Sequence, residues 1–182
     1  NYYGQLGLGH TTSQPAPTAV PVAGSMAAIA AGVYHSRAVG ADGVPLACGF
    51  NSFGGLGLGT TASTEEFVRI TGLSGISSVA AGRYHSLFAG TNGQVWACGY
   101  GAQGQLGDGA GVNRLSPVPV PGLSNIVALA CGIYSSYALD TGGFVHSFGD
   151  NASGQLGDGT KETRTTPVLV APLSNVTAIA AG

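Results

Sequence analysis

Two histidines draw attention first, because each is flanked by groups that could exchange a proton with it. Tyr34-His35-Ser36 and Tyr84-His85-Ser86 set an imidazole beside a hydroxyl, the combination that a base-activated nucleophile needs. Adjacent residues on an extended strand point to opposite faces, however, so within either triplet the two side chains do not readily meet. The triplet returns after 50 residues, which argues for a structural role. The cysteines read the same way. Cys48 and Cys98 lie one period apart, and Cys131 stands where the other copies have alanine. A disulfide needs Cα atoms within about 7 Å, closer than equivalent positions of neighbouring sheets, so free, small, buried thiols are expected. No cysteine pair has metal-ligand spacing and no histidine cluster accompanies them, so no metal is expected.

The stretch Gly99-Tyr100-Gly101-Ala102-Gln103-Gly104 spells a dinucleotide-binding fingerprint. That fingerprint works only between a strand and a helix whose N-terminus faces the pyrophosphate. A loop follows here, so the glycines are read as positions of positive φ or close chain approach, and no cofactor is expected. Asp108 and Asp158 occupy the glycine loop where the earlier copies have Leu8 and Leu58, and capping of the loop's own amides is the plain reading. Asn151-Ala152-Ser153 and Asn175-Val176-Thr177 are sequons, relevant only to a secreted protein. No residues are assigned a catalytic role.

The elements that must position these residues repeat. Gly4-Gln5-Leu6-Gly7-Leu8-Gly9 returns as Gly54-Gly55-Leu56-Gly57-Leu58-Gly59, then as Gly104-Gln105-Leu106-Gly107-Asp108-Gly109 and Gly154-Gln155-Leu156-Gly157-Asp158-Gly159. The step is 50 residues each time. The segment Ala31-Gly32-Val33-Tyr34-His35-Ser36 keeps that step through Ala81 to Ser86 and Cys131 to Ser136. Within the second copy, Ile76 to Ala81, Tyr84 to Ala89 and Gln94 to Cys98 read as strands, with Phe67 to Ile70 a candidate fourth. Asn92-Gly93 is a hairpin signal, since both residues tolerate positive φ, and Asp42-Gly43 and Gly142-Gly143 are its equivalents. Pro45 stands where Val95 and Val145 occur, so its strand is expected to be weakened or bulged. Four short strands per repeat specify an all-β chain of four-stranded antiparallel propeller blades. The copies run about 27–76, 77–126 and 127–176, with partial copies at 1–26 and 177–182, all in a single partial propeller.

Composition agrees. Thirty-two glycines punctuate a chain that is 44% hydrophobic and carries a net charge of only −2, a profile of many tight turns rather than disorder. Six Lys and Arg residues spread from Arg37 to Arg164 cannot form the continuous cationic stripe that nucleic acid requires. No apolar stretch approaches the length of a membrane span. The start at Asn1 without a Met suggests a piece of a longer protein.

The glycine motif and the Ala-Gly-x-Tyr-His-Ser motif, in this order and phase, resemble the repeats of the regulator of chromosome condensation family over essentially the whole chain. The resemblance implies a seven-bladed propeller of roughly 350 residues at this period, of which this chain holds about 3.6 copies. An open ring leaves uncovered surface at its broken ends, so the remaining blades are expected from the same polypeptide or from a second copy.

Function is expected where copies diverge on loops, in the segments after each glycine motif. These carry Glu65, Glu66, Arg114, Lys161, Glu162 and Arg164, while Arg37 and Arg83 break the pattern elsewhere. The first expectation is a non-enzymatic scaffold for protein partners. The resemblance implies a second, guanine-nucleotide exchange on a small GTPase, which in similar proteins uses a surface insertion that the uniform spacing leaves no room for. It also implies the light sensing of similar plant proteins, which needs clustered tryptophans, whereas Trp96 is alone. A glycan hydrolase or lyase has no paired carboxylates in its favour.

Overall fold

Each apolar run between glycine turns becomes a strand five or six residues long, and the strands join strictly in sequence order. The computed structural model describes residues 1–22, 24–171 and 173–182, and no helix occurs among them. Strands β1 (Met26–Ala31), β2 (His35–Gly40), β3 (Pro45–Gly49) and β4 (Thr64–Arg69) form the first antiparallel sheet. The second holds β5 (Ile76–Ala81), β6 (His85–Gly90), β7 (Val95–Gly99) and β8 (Arg114–Pro119). The third holds β9 (Ile126–Cys131), β10 (Ser135–Asp140), β11 (Val145–Gly149) and β12 (Arg164–Leu169). The fourth strand of the first sheet thus starts at Thr64, three residues before the Phe67 expected, and pairs with β3.

The sheets pack face to face as blades of a partial propeller. First strands of successive blades lie against one another at the inner side, and β4, β8 and β12 form the outer rim. Burial follows that order. The middle strand β6 is buried at all six residues because neighbouring blades cover both faces, whereas β8 shows only partial burial. Val39, Leu56, Val79 and Phe88 fill the seam between blades 1 and 2, and Leu87, Leu106, Ala138 and Phe148 fill the next. Val176 and Ile179 pack on the outer face of blade 3, against a cluster containing Leu139, although residues 173–182 form no strand.

Two local expectations change. Pro45 opens β3 opposite Val39 with no register shift, because a first strand residue need not donate to the ladder, and its carbonyl still accepts from Ile70 N at 2.9 Å. The irregularity falls instead between Ala47 and Gly49 and recurs at the same place in every blade. In the hairpin turns only the glycine takes positive φ, as Gly93 does at 75°, while the Asn92 side chain accepts from Gln94 N at 3.1 Å. This is the three-residue hairpin with a left-handed glycine, and the side-chain acceptor explains Asn or Asp ahead of it.

Candidate functional site

Antiparallel alternation sends two kinds of connection to the same end of every blade. The Ala-Gly-x-Tyr turn between first and second strands and the glycine loop between third and fourth strands both lie there. This end gathers the histidines, the glycine motifs, the loop charges and most of the aromatic rings.

The histidines do meet serines, but those of the next blade. His35 Nε2 lies 2.8 Å from Ser86 Oγ and His85 Nε2 lies 3.0 Å from Ser136 Oγ, all of them buried. Each serine gives its own proton to a glycine-loop carbonyl, Ser86 to Gly55 at 3.1 Å and Ser136 to Gln105 at 2.8 Å. The histidine must therefore donate Nε2–H, and the serine oxygen that accepts is no nucleophile. Burial pushes both imidazoles down, His85 to about 3, and the Arg37 charge depresses His35 further. Neutral pegs between blades, not base and nucleophile pairs, are the outcome. Alternation along the strand excluded contact inside a triplet, and only the blade stacking revealed the contact between triplets.

Arg37 has the same duty. It is 1% exposed, and its guanidinium donates to Ser86 Oγ at 2.9 Å and Leu56 O at 2.9 Å and lies 5.1 Å from the Phe88 ring centroid. The expectation of an exposed contact residue is corrected for Arg37. The copies gave the signal: the equivalent positions are Leu87, which is buried in the next seam, and Tyr137, so an apolar or aromatic residue stands there in both.

The glycine loops bind each blade to its successor. Gly59 N donates to Leu115 O and Gly109 N to Thr165 O, both at 2.9 Å. Gly57 has φ of 74°, and a Cβ there would lie 3.0 Å from Cys98 Sγ. Close approach thus accounts for the repeated glycines, and Gly99 of the false nucleotide fingerprint is alike, with φ of 106° and a Cβ position 2.7 Å from His85 Cα. Cys48 and Cys98 are buried free thiols aimed at the Gln5 and Gly55 carbonyls, and burial pushes Cys48 up to about 12. Among the described residues no group of three potential metal ligands forms.

Asp108 and Asp158 cap their own loops as expected, and each also takes the arginine six residues on. Asp108 accepts from Ala110 N at 3.1 Å and Arg114 Nε at 2.7 Å. Asp158 accepts from Thr160 N at 2.9 Å, Asn151 Nδ2 at 3.0 Å and Arg164 Nε at 2.8 Å, and the Thr160 hydroxyl above all holds its carboxyl far below the usual range. In blade 1 the same two positions are Leu58 and Thr64, so aspartate and arginine change together. Of the remaining loop charges, Glu65 and Glu66 lie exposed on β4, Lys161 is exposed, and Glu162 reaches Arg164 at 3.2 Å. Asn151 of the first sequon is fully buried.

Sequence reasoning missed the aromatic rings. Tyr3, Phe50, Phe53 and Tyr100 form an outer arc with centroid spacings of 5.0, 6.0 and 5.2 Å. Tyr34 and Tyr84 stack at 5.5 Å on the inner side, and Tyr100 leads on to Tyr134 at 5.8 Å. Every one of these rings is half-buried. Arg83 sits among them, its guanidinium 5.8 Å from the Tyr34 centroid and 5.1 Å from that of Tyr84. The signal was present in the recurrence of Tyr34, Tyr84 and Tyr134, which was read as serving the fold alone.

Four-stranded blades, each stapled to the next through a glycine loop, define a repeat propeller whose polar side chains largely hold its blades together. The chain belongs to the family of the regulator of chromosome condensation (RCC1) repeat, which matches residues 1–39, 42–89, 92–139 and 142–182. A second profile of the same repeat matches residues 76–105. No curated protein matches the chain in sequence. Among solved structures, human WBSCR16 is similar with a TM-score of 0.80 at 21% identity, over 94% of this chain and 46% of that one. Prp20p of Saccharomyces cerevisiae, described with its binding to Gsp1p and histones, is similar with a TM-score of 0.70 at 24% identity, over 79% of this chain and 37% of that one. The chain therefore spans less than half the length of these relatives.

Proposed function

We propose that this chain is a non-catalytic module that binds protein partners through the loop end of its blades. The observation that carries this reading is the arc of half-exposed aromatic rings around Arg83. Tyrosine, phenylalanine and arginine are enriched where protein partners bind, because they bring large, rigid contact area and a fixed fork of donors. Glu65, Glu66, Arg114 and Arg164 on the outer strands, with Lys161 and Glu162 on the loop before β12, supply the polar rim such a surface needs. The histidine and serine pairs that resemble catalytic machinery are buried between blades, where each imidazole Nε2 is bonded to the serine of the next blade.

The open face of blade 1 is covered by a further RCC1 repeat, from the same polypeptide or from a second copy. Ile29 is 79% exposed there, whereas its equivalent Val79 is 8% exposed beneath the preceding blade. Partner capture followed by crosslinking tests the reading. The Tyr100→Ser variant, still folded by circular dichroism, loses partners that the native chain retains, and unchanged capture refutes it. A second reading, exchange on a small GTPase, draws on the binding of Gsp1p by the similar Prp20p. Release of labelled GDP from a small GTPase on addition of the full polypeptide separates the two.

A further inference from the structure

Arg83 differs from the other arginines of the chain. Arg69, Arg114 and Arg164 each face a carboxylate, and Arg37 is enclosed in a seam. Among the described residues Arg83 forms no ion pair, and its buried Nε has no hydrogen-bond partner. Asp150 lines a cavity with it but accepts from Gln155 Nε2 at 2.7 Å instead. Its guanidinium lies against the Tyr34 and Tyr84 rings and within reach of their side chains, but with no carboxylate of its own it keeps its charge for a planar anion, and a carboxylate fits a guanidinium's terminal donors.

The rings around it specify the rest of the ligand. Tyr3, Tyr34, Tyr84, Tyr100 and Tyr134 are half-buried. The arc consists of loop and turn residues, with no strand edge on which a partner strand could pair. It offers rings and hydroxyl donors instead. A polyproline II segment supplies the complement, with carbonyl acceptors along a backbone that bonds to nothing internally and pyrrolidine rings to lie on the aromatics.

We infer that the arc docks a proline-rich segment of a partner protein in polyproline II form, with a glutamate or aspartate among its prolines bound by Arg83. This rests on the protein-binding reading above and names its partner class. A fluorescein-labelled Pro-Pro-Pro-Glu-Pro-Pro peptide, titrated against the whole chain by anisotropy, tests it. Saturable binding with a Kd below about 1 mM is expected, weakened about tenfold when the peptide glutamate becomes glutamine. The Arg83→Gln variant weakens the glutamate peptide by a similar factor and leaves the glutamine peptide unchanged. Should Arg83→Gln fail to fold, the comparison of the two peptides on the native chain decides. Equal affinity for both peptides, or no binding up to about 1 mM, overturns the inference. If the peptides fail while Tyr100→Ser still abolishes partner capture, the protein-binding reading stands and only the proline-rich ligand is lost.

Discussion

The three serines at the second position of β2, β6 and β10 offer a graded test of how the blades are joined. Ser36, Ser86 and Ser136 are equivalent in sequence, and each donates to the carbonyl of a preceding glycine loop, at 2.6, 3.1 and 2.8 Å. They differ in what they accept. No histidine donates to Ser36 among the described residues, one donates to Ser136, and Ser86 accepts from both His35 and Arg37. Replacement by alanine removes one neutral hydrogen bond at Ser36, for a cost of about 0.5–1.5 kcal/mol. At Ser136 it also orphans a buried imidazole N–H, which raises the cost to about 2–3 kcal/mol. At Ser86 it orphans an imidazole N–H and a charged guanidinium N–H together, for about 3–5 kcal/mol. Urea unfolding followed by the fluorescence of the single Trp96 measures the series. Adding Arg37→Leu to Ser86→Ala, with the residue that copy 2 carries at Leu87, removes the stranded charge and recovers more than about 1 kcal/mol. If Ser136→Ala costs as much as Ser86→Ala, or Arg37→Leu brings no recovery, the account of the seam is wrong.

Acid weakens the chain before its carboxylates protonate. His35 and His85 have folded pKa values below the unfolded value, so the unfolded state binds more protons and stability falls as pH drops below about 6.5. Each histidine contributes a slope of about 1.4 kcal/mol per pH unit between about pH 6 and 4.5, and His85→Gln removes one such slope in urea midpoints taken across that range. Gly99→Ala, at φ of 106° and against His85 Cα, costs more than about 2 kcal/mol or prevents folding, whereas Gly72→Ala, at φ of 83° but with open space around it, costs only the backbone strain of about 1 kcal/mol. Asp158→Leu lowers the melting temperature because Arg164 and Asn151 each lose one acceptor, and Arg164→Thr added to it restores most of the loss, reproducing the Leu58 and Thr64 of blade 1. A double variant melting lower than Asp158→Leu alone contradicts that pairing.

The blade architecture was legible because two motifs kept one period, and Ile76–Ala81 was placed to the residue. The free thiols, the loop-capping aspartates and the false nucleotide fingerprint were also legible, since each follows from neighbours in the chain. Contacts between blades were not. His35 meets Ser86 across 51 positions, and Arg37 meets Leu56 and Cys98 through a seam that exists only once sheets stack. Arg37 therefore looked like a surface charge, because a lone arginine on a strand carries no local sign of what lies opposite. The aromatic arc escaped for a related reason. Tyr34 and the pair Phe50 and Phe53 fall in separate connections of blade 1 and Tyr100 in blade 2, and their convergence depends on how strands and sheets are arranged around the axis.

The peg from each histidine reaches forward, to the blade that follows, and never back. Blades 1 and 2 therefore each plug into the blade that follows, blade 3 carries Ser135 where they carry the histidine, and the array has a sense of rotation as well as an axis. A shift by any fraction of a 50-residue unit would bring two plugs or two sockets together, and moving whole units would part Arg37 of blade 1 from the Ser86 that it meets.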